Sequence, residues 1–240
     1  MKRHINSILL LVVLLVQASC INNLLDYPAT TKISADTFWE TTEDAEKGVN
    51  AVYNAMRNAF GLFYRLDCYP NADLVYFQNA NSQSITSDYW NKCYASINRA
   101  NNAIMQLRRM QSEAVMEKDL NLLKRYEGEV RFIRALHYAL MIDLYGDVQY
   151  LDHVPTQEEA YSIARTPITQ VRDFIMDDYD YAISVLPDSY ESSDDQGRAT
   201  KVAAYAFKGK LELFWACWKK NGRPEVDNFQ QSESEAKEYY

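Results

Sequence analysis

The sequence has little glycine or proline, with 7 and 6 residues respectively in a chain of 240. Folds rich in β-strands need both residues at their many turns, so this scarcity argues against a sandwich or a barrel. Hydrophobic residues make up 48% of the chain, which is enough to form a core. The sequence therefore predicts an all-α fold.

Basic clusters are also missing. The chain has 33 acidic and 25 basic residues, which give a formal net charge of −8 at pH 7, and its lysines and arginines form no long run. Proteins that bind nucleic acid depend largely on neutralising phosphate charge. Nucleic acid is therefore not an expected partner.

Cysteines are few and widely spaced. The four of them, Cys20, Cys68, Cys93 and Cys217, include no CxxC pair, so they fit neither a disulfide framework nor a zinc site. We interpret Cys68, Cys93 and Cys217 as small buried residues. A single bridge between Cys68 and Cys93 is the alternative in an oxidising compartment.

Catalytic signatures are absent from the sequence, which contains no HExxH, GxSxG or glycine-rich phosphate loop. Beyond residue 20 the only histidines are His137 and His153. His137 falls on the apolar face of a predicted helix, where a core role is expected. The sequence therefore predicts a protein that is not an enzyme and that needs neither a cofactor nor a metal.

Two acidic clusters leave an alternative open. Residues 177–180 place three aspartates on a helix face that is expected to be exposed, and residues 191–195 place three carboxylates in a polar loop. A glycosidase needs a cleft that raises the pKa of one carboxyl group, and Ser193–Gly197 only half fits a calcium loop. Solvated charge is the favoured interpretation, and a lipid-anchored hydrolase is the weakest hypothesis.

The N-terminus combines a basic start with an apolar run, Ile8–Val16, and the tripeptide Ala-Ser-Cys that ends at Cys20. The run is much shorter than the roughly 20 residues that span a bilayer. These features predict a cleaved lipoprotein signal peptide over residues 1–19 and a diacylglyceride on Cys20, which would hold the protein on a membrane. Because Gln17 stands where a strict lipobox has Leu, an ordinary secretory peptide with an incidental cysteine is the alternative.

Helical periodicity organises the rest of the chain. A tether is predicted over residues 20–41, a helical domain over residues 42–225, and a polar tail, or the truncated start of another element, over residues 226–240. We expect antiparallel helix hairpins stacked in the manner of tetratricopeptide repeats. A long irregular loop is predicted at Gly61–Ser87, and an extended link at Asp147–Arg165. The predicted helices are Glu43–Phe60, Ser87–Met110, Val115–Tyr145, Pro167–Pro187 and Ala199–Lys220.

The segment Asp67–Trp90 has the composition of a sugar-binding surface. Aromatic rings fit the apolar faces of a pyranose, while amide and acid groups bond with its hydroxyls. The alternative is that Tyr89 and Trp90 only pack on the second helix as structural residues. The candidate glycan-binding residues are Asp73, Tyr76, Asn79, Tyr89 and Trp90.

Several motifs, taken in order and together with the lipobox, resemble those of one known family. They are FWETTEDA (Phe38–Ala45), INRANNAI (Ile97–Ile104), GEVRFIRALHY and DLYGDV within Gly128–Val148, RTP (Arg165–Pro167) and GRATK (Gly197–Lys201). Over nearly the whole chain, this combination resembles the SusD-like (RagB-type) outer-membrane lipoproteins of Bacteroidetes.

The resemblance implies a tetratricopeptide-like scaffold that binds glycans, or sometimes peptides, at the cell surface and works without catalysis as a lid on a SusC-like TonB-dependent transporter. We therefore expect an outer-membrane protein, anchored through the lipid on Cys20 and facing the cell exterior. Members of the family usually have about twice this length, so an incomplete SusD-like fold is expected. The alternatives are a peptide- or protein-binding surface lipoprotein and a non-functional truncated member of the family.

Overall fold

A computed structural model describes part of the chain. The described residues are 38–68, 80–223, 226 and 229–239, and for residues 61–68 and 80–86 only the backbone is described. The chain divides between Phe38 and Trp39 into two compact units. All helices given below belong to the second unit. The predictions that lie outside the described residues are the signal peptide over residues 1–19, Cys20, most of the tether, Asp73, Tyr76 and Asn79.

The prediction of an all-α fold is confirmed, because the described residues contain helices and no strand. One isolated antiparallel bridge joins Val148 to Thr166. None of the described helices is long and apolar enough to cross a membrane. The helices are α1 (Thr42–Cys68), α2 (Ala80–Glu113), α3 (Glu117–Tyr145), α4 (Gln157–Ser162), α5 (Ile168–Val185), α6 (Lys201–Asn221) and α7 (Glu233–Ala236), with 3₁₀ helices at Ser193–Asp195 and Lys237–Tyr239.

Helix α3 is the centre of the fold. It packs against α1, α2 and α5, and more lightly against α6. From Tyr126 to Tyr138 every residue of α3 except Arg131 is buried. Because α1 packs on α2, α2 on α3, α3 on α5 and α5 on α6, the long helices follow one another as the predicted stack of neighbouring hairpins.

Local signals fix several helix ends. The Thr41 hydroxyl accepts a hydrogen bond from the Asp44 amide at 3.1 Å, and the Asp44 carboxylate accepts one from the Thr41 amide at 3.1 Å, which caps α1. Helix α3 ends at Tyr145, and the next residue, Gly146, has a φ of 70°, which favours glycine. The Thr200 hydroxyl caps α6 by accepting from the Ala203 amide at 3.1 Å.

The prediction of a loop over Gly61–Ser87 is wrong at both ends of that segment, since α1 continues to Cys68 and α2 begins at Ala80. A glycine inside a helix costs only about 1 kcal/mol, and the residues after Gly61 include strong helix formers such as leucine and arginine. Residues 80–86 are mainly polar, and the periodicity of apolar residues does not detect a helix without an apolar stripe.

Two short helices occur where irregular structure is predicted. Helix α4 lies within the link, and a reciprocal pair of hydrogen bonds between Thr156 and Glu159 caps it, at 3.2 and 2.8 Å. Helix α7 lies within the polar tail, where the Ser232 hydroxyl accepts from the Glu235 amide at 3.3 Å. Both starts carry the Ser/Thr-x-x-Glu signature of a capping box, which is readable in the sequence.

A buried ion pair joins α3 to α5. The Arg134 guanidinium donates to both carboxylate oxygens of Asp178, at 2.7 and 2.8 Å, and Asp178 is only 3% exposed. The prediction that Asp178 lies on an exposed helix face is therefore wrong, because packing on α3 buries this position and Arg134 neutralises its charge. Asp180, two residues further on, is exposed as predicted and pairs with Lys208.

A second buried carboxylate, Glu129 of α3, holds the loop that precedes α6. It is fully buried and accepts hydrogen bonds at 3.0 Å from Arg198 and from the Tyr53 hydroxyl. Burial raises the pKa of Glu129, while the neighbouring guanidinium of Arg198 opposes this shift. Asp195, one of the two aspartates of the half-fitting calcium motif, instead pairs with Arg125 at 3.1 Å and with Arg198 at 2.8 Å.

Cys93 is a free thiol in the core, as the interpretation of the cysteines expects. Burial raises its pKa to about 12, so the thiol stays protonated at neutral pH. The thiol of Cys217 is free as well, but this residue is only half-buried, so the interpretation of Cys217 as a buried residue is wrong. The Cys68 side chain lies outside the described residues.

Candidate functional site

Of the predicted glycan-binding residues that the structure describes, Trp90 lies at a pocket. Its half-buried side chain projects from α2. The ring centroid of Tyr94 lies 5.0 Å from that of Trp90, and Tyr145 of α3 packs nearly perpendicular to the indole, also at 5.0 Å. These contacts fix the orientation of the indole.

A pocket of about 350 Å³ opens beside Trp90, between α2 and the segment that connects α3 to α5. Its walls combine aromatic, small apolar and neutral amide side chains, the composition typical of small-molecule sites. Apart from the Tyr94 phenol, none of these side chains ionises. The lining residues are Trp90, Tyr94, Ala95, Asn98, Gln149, Leu151, Pro155, Ala160 and Ile163.

Hydrogen bonds order the polar groups of the pocket. The Tyr94 hydroxyl donates to the Gln149 carbonyl at 2.8 Å, and the Gln149 amide donates to the Ile163 carbonyl at 2.5 Å. Burial raises the pKa of Tyr94, so its phenol stays neutral at physiological pH. The exposed amide of Asn98 lies two helical turns from Trp90 on the same face. These groups can bond with the hydroxyls of a neutral ligand.

The buried network of the scaffold supports the far wall of the pocket. The Asn101 amide donates to the carbonyls of Leu151 and His153, both at 2.9 Å, and the Leu151 amide donates to the Tyr138 hydroxyl at 2.8 Å. The side-chain oxygen of Asn101 in turn accepts a hydrogen bond from the Arg134 guanidinium at 2.7 Å. The same arginine that pairs with Asp178 therefore helps to fix the connecting segment.

A cation lies at the edge of the pocket. The guanidinium carbon of Arg165, an exposed residue, lies 5.4 Å from the Trp90 ring centroid, within the range of a cation–π interaction. Arg165 also donates to the Asp147 carbonyl at 3.2 Å. The Arg165 charge acts on the neighbouring Tyr94 hydroxyl, whose pKa it lowers against the larger effect of burial.

The two adjacent candidates on α2 occupy different environments. Trp90 lines the pocket, whereas Tyr89 is 1% exposed and belongs to the core. A helix turns by about 100° per residue, so neighbouring positions face different surroundings. In this structure Tyr89 can support the site only from beneath, through its packing.

The structure adds Tyr94, Asn98 and Gln149 to the candidates. A signal for the first two exists in the sequence, because they follow Trp90 at i+4 and i+8 on a predicted helix and so share its face. Gln149 lies in a segment without periodicity, and nothing in the sequence indicates its position.

His137 and two of the carboxylates weighed for catalysis occupy structural positions. His137 is fully buried in α3, and burial lowers its pKa to about 4, so its imidazole is neutral at pH 7. Asp178 and Asp195 are held in ion pairs with arginine. Within the described ranges, no group of three or more His, Cys, Asp or Glu side chains is placed to hold a metal ion.

The model of a SusD-like family, described as starch-binding and associating with the outer membrane, matches residues 21–213. SusD-like protein P2 of Formosa agariphila is 26% identical over 192 residues, which are 72% of this chain and 37% of P2. SusD-like protein P25 of the same organism is 24% identical over 238 residues, 89% of this chain and 44% of P25. The chain thus spans less than half of the length of these curated relatives.

Solved structures share the fold. A SusD-like protein from Bacteroides fragilis is 28% identical and aligns with a TM-score of 0.60, over 80% of this chain and 39% of that protein. A SusD homologue from Bacteroides thetaiotaomicron aligns with a TM-score of 0.68 at 19% identity, over 87% of this chain and 41% of that protein. The second likeness, at this low identity, concerns the fold alone.

Proposed function

Because this chain belongs to the SusD-like family, which is described as starch-binding and associating with the outer membrane, we propose that it binds an oligosaccharide or polysaccharide at the cell surface. Its role is capture of the glycan without catalysis, for import by a SusC-like TonB-dependent transporter. The pocket beside Trp90 is the observation that carries the proposal within this chain.

The composition of the pocket supports binding of a sugar. An indole with fixed orientation offers a flat apolar surface, which matches the C–H face of a pyranose. The amides of Asn98 and Gln149 and the neutral Tyr94 phenol supply donors and acceptors for ring hydroxyls. We propose that Asp73, Tyr76 and Asn79 complete the binding surface, with Tyr89 supporting Trp90 from the core.

Trp90→Ala is expected to weaken glycan binding about tenfold or more, because it removes the apolar surface on which a sugar ring stacks. Isothermal titration calorimetry with an oligosaccharide selected on a glycan array would measure the change. Trp218→Ala is the matched control: Trp218 is also half-buried, lies on α6 and has the Arg223 guanidinium 4.2 Å from its ring. We expect Trp218→Ala to leave the affinity unchanged.

Equal affinity of the wild type and Trp90→Ala would remove Trp90 from the site. A chain that binds peptides and ignores every glycan on the array would instead select the peptide-binding alternative. Tyr76→Ala, measured in the same way, tests the aromatic candidate that lies outside the described residues.

We also propose that a lipid on Cys20 anchors the protein to the outer membrane with its helical domain facing the exterior. The basic start, the short apolar run and the Ala-Ser-Cys sequence support this proposal. The expected intact mass of the protein extracted from membranes is that of a chain beginning at an acylated Cys20. A mature chain without acyl groups on Cys20 would refute the anchor.

A further inference from the structure

Arg165 is placed to contact a ligand that occupies the pocket. It follows the lining residue Ile163 by two positions and lies over the ring of Trp90. The residue is exposed. A ligand that stacks beside Trp90 therefore meets a guanidinium at the rim of the site.

The Arg165 guanidinium makes no ion pair within the part of the chain that the structure describes; its contacts there are the Asp147 carbonyl and the Trp90 ring. Arg134 and Arg198, by contrast, are both paired with carboxylates. An arginine that has a polar contact to a carbonyl alone keeps most of its five N–H donors for another acceptor.

Nearby carboxylates are engaged elsewhere. The Asp147 carboxylate accepts from the Ile168 amide at 2.8 Å, at the start of α5. The Glu159 carboxylate accepts from the Thr156 amide and caps α4, and the Asp152 carboxylate bonds with His153 at 2.7 Å. Among the described residues, no ion pair joins Arg165 to these carboxylates or to Glu158, the remaining acidic residue of the connecting segment.

The two contacts of Arg165 also orient it. The Trp90 ring holds the guanidinium by a cation–π interaction, and the Asp147 carbonyl binds one Nη atom, so less conformational freedom is lost when an anion binds. The planar fork of an arginine matches a carboxylate or a sulfate through two parallel hydrogen bonds. The remainder of the pocket wall is neutral and suits the uncharged part of a sugar.

We propose that the pocket beside Trp90 prefers an anionic oligosaccharide, and that Arg165 binds the carboxylate of a uronic acid or the sulfate ester of a sulfated sugar. The inference rests on the proposed glycan-binding function and adds to it the charge of the ligand. Arg165 then selects the ligand, while Trp90 supplies the stacking surface for sugars of either charge.

The test compares matched charged and neutral ligands by calorimetry. Trigalacturonate is paired with its full methyl ester, and a sulfated carrageenan tetrasaccharide with its desulfated form. We expect the charged member of one pair to bind about tenfold more tightly than its neutral partner, with an affinity that falls as salt is raised. The pair that shows the preference identifies the anionic group as a carboxylate or a sulfate.

Arg165→Gln should remove this preference by lowering affinity for the charged ligand about tenfold, while affinity for the neutral ligand stays unchanged. Arg165→Lys keeps the charge but loses the fork, so an intermediate affinity is expected. The matched control is Arg172→Gln, because Arg172 also lies over a tryptophan, Trp215, at 5.3 Å, and neither residue lines the pocket. Thermal melting of each variant verifies that it folds.

The outcomes separate this inference from the proposed function. Tryptophan-dependent binding of neutral glycans with no preference for either charged ligand would overturn the role of Arg165 and leave the glycan site intact. A charge preference that persists in Arg165→Gln would also overturn it. If no glycan of either kind binds to the wild type, the proposed function fails together with the inference.

Discussion

Asp178→Asn is expected to lower the free energy of unfolding by about 3–5 kcal/mol, since it leaves the Arg134 guanidinium buried without its counter-charge. Arg134 is 5% exposed and donates to both oxygens of Asp178. Because Arg134 also donates to Asn101, whose amide holds the wall of the pocket, the variant should weaken ligand binding as well. Urea-induced unfolding of the wild type and the variant measures the change in the free energy of unfolding.

Asp180→Asn provides the control on the same helix. The Asp180 carboxylate is 56% exposed and pairs with Lys208 at the surface. Exposed ion pairs contribute at most about 1 kcal/mol, so a small change is expected. If the two variants lost the same free energy, the structural role assigned to the buried pair would be wrong.

Gly48→Ala is expected to lower the free energy of unfolding by about 2–4 kcal/mol, because the added methyl group would overlap the Trp39 indole. Trp39 is 6% exposed and has a left-handed backbone, with a φ of 76°. Its carbonyl accepts a hydrogen bond from Arg109 at 2.8 Å. The indole ring is rigid, and the hydrogen bond from Arg109 of α2 holds the Trp39 backbone in place. Moving the ring away from the new methyl group would therefore cost free energy.

The matched substitution is Gly209→Ala in α6. A methyl group at this helical position has no atom within 4 Å, so alanine should stabilise the protein by up to about 1 kcal/mol through its higher helix propensity. Thermal or urea unfolding of both variants gives the comparison. A neutral or stabilising effect of Gly48→Ala would show that the Trp39 indole does not pack against Gly48.

Much of the helical framework could be predicted from local sequence signals. Periodicity predicts that α3 exists, but not that nearly every residue from Tyr126 to Tyr138 is buried. The glycine after the end of α3 and the threonine before α6 are short-range signals that the structure uses. The start of α2 could not be found in this way, because residues 80–86 offer no apolar periodicity. The capping signatures at Thr156 and Ser232 were present and are sufficient to explain the two short helices.

The buried charges were not predictable from periodicity. In the sequence, nothing distinguishes Asp178 from the nearby Asp177 and Asp180. Its environment depends on Arg134, a partner 44 positions away. The pocket has the same character, because Trp90 comes from a predicted helix while Gln149 comes from a segment whose path is fixed by long-range hydrogen bonds. Composition could identify an aromatic and polar region, but not which of two adjacent rings faces the pocket.

Binding of a sugar against Trp90 is tested most directly by a crystal structure of the chain with an oligosaccharide selected on a glycan array. We expect a pyranose ring whose carbon atoms lie about 4 Å from the Trp90 indole, in van der Waals contact, with hydroxyls bonded to Asn98 or Gln149. A sugar bound on another surface, with the pocket beside Trp90 unchanged, would contradict this expectation.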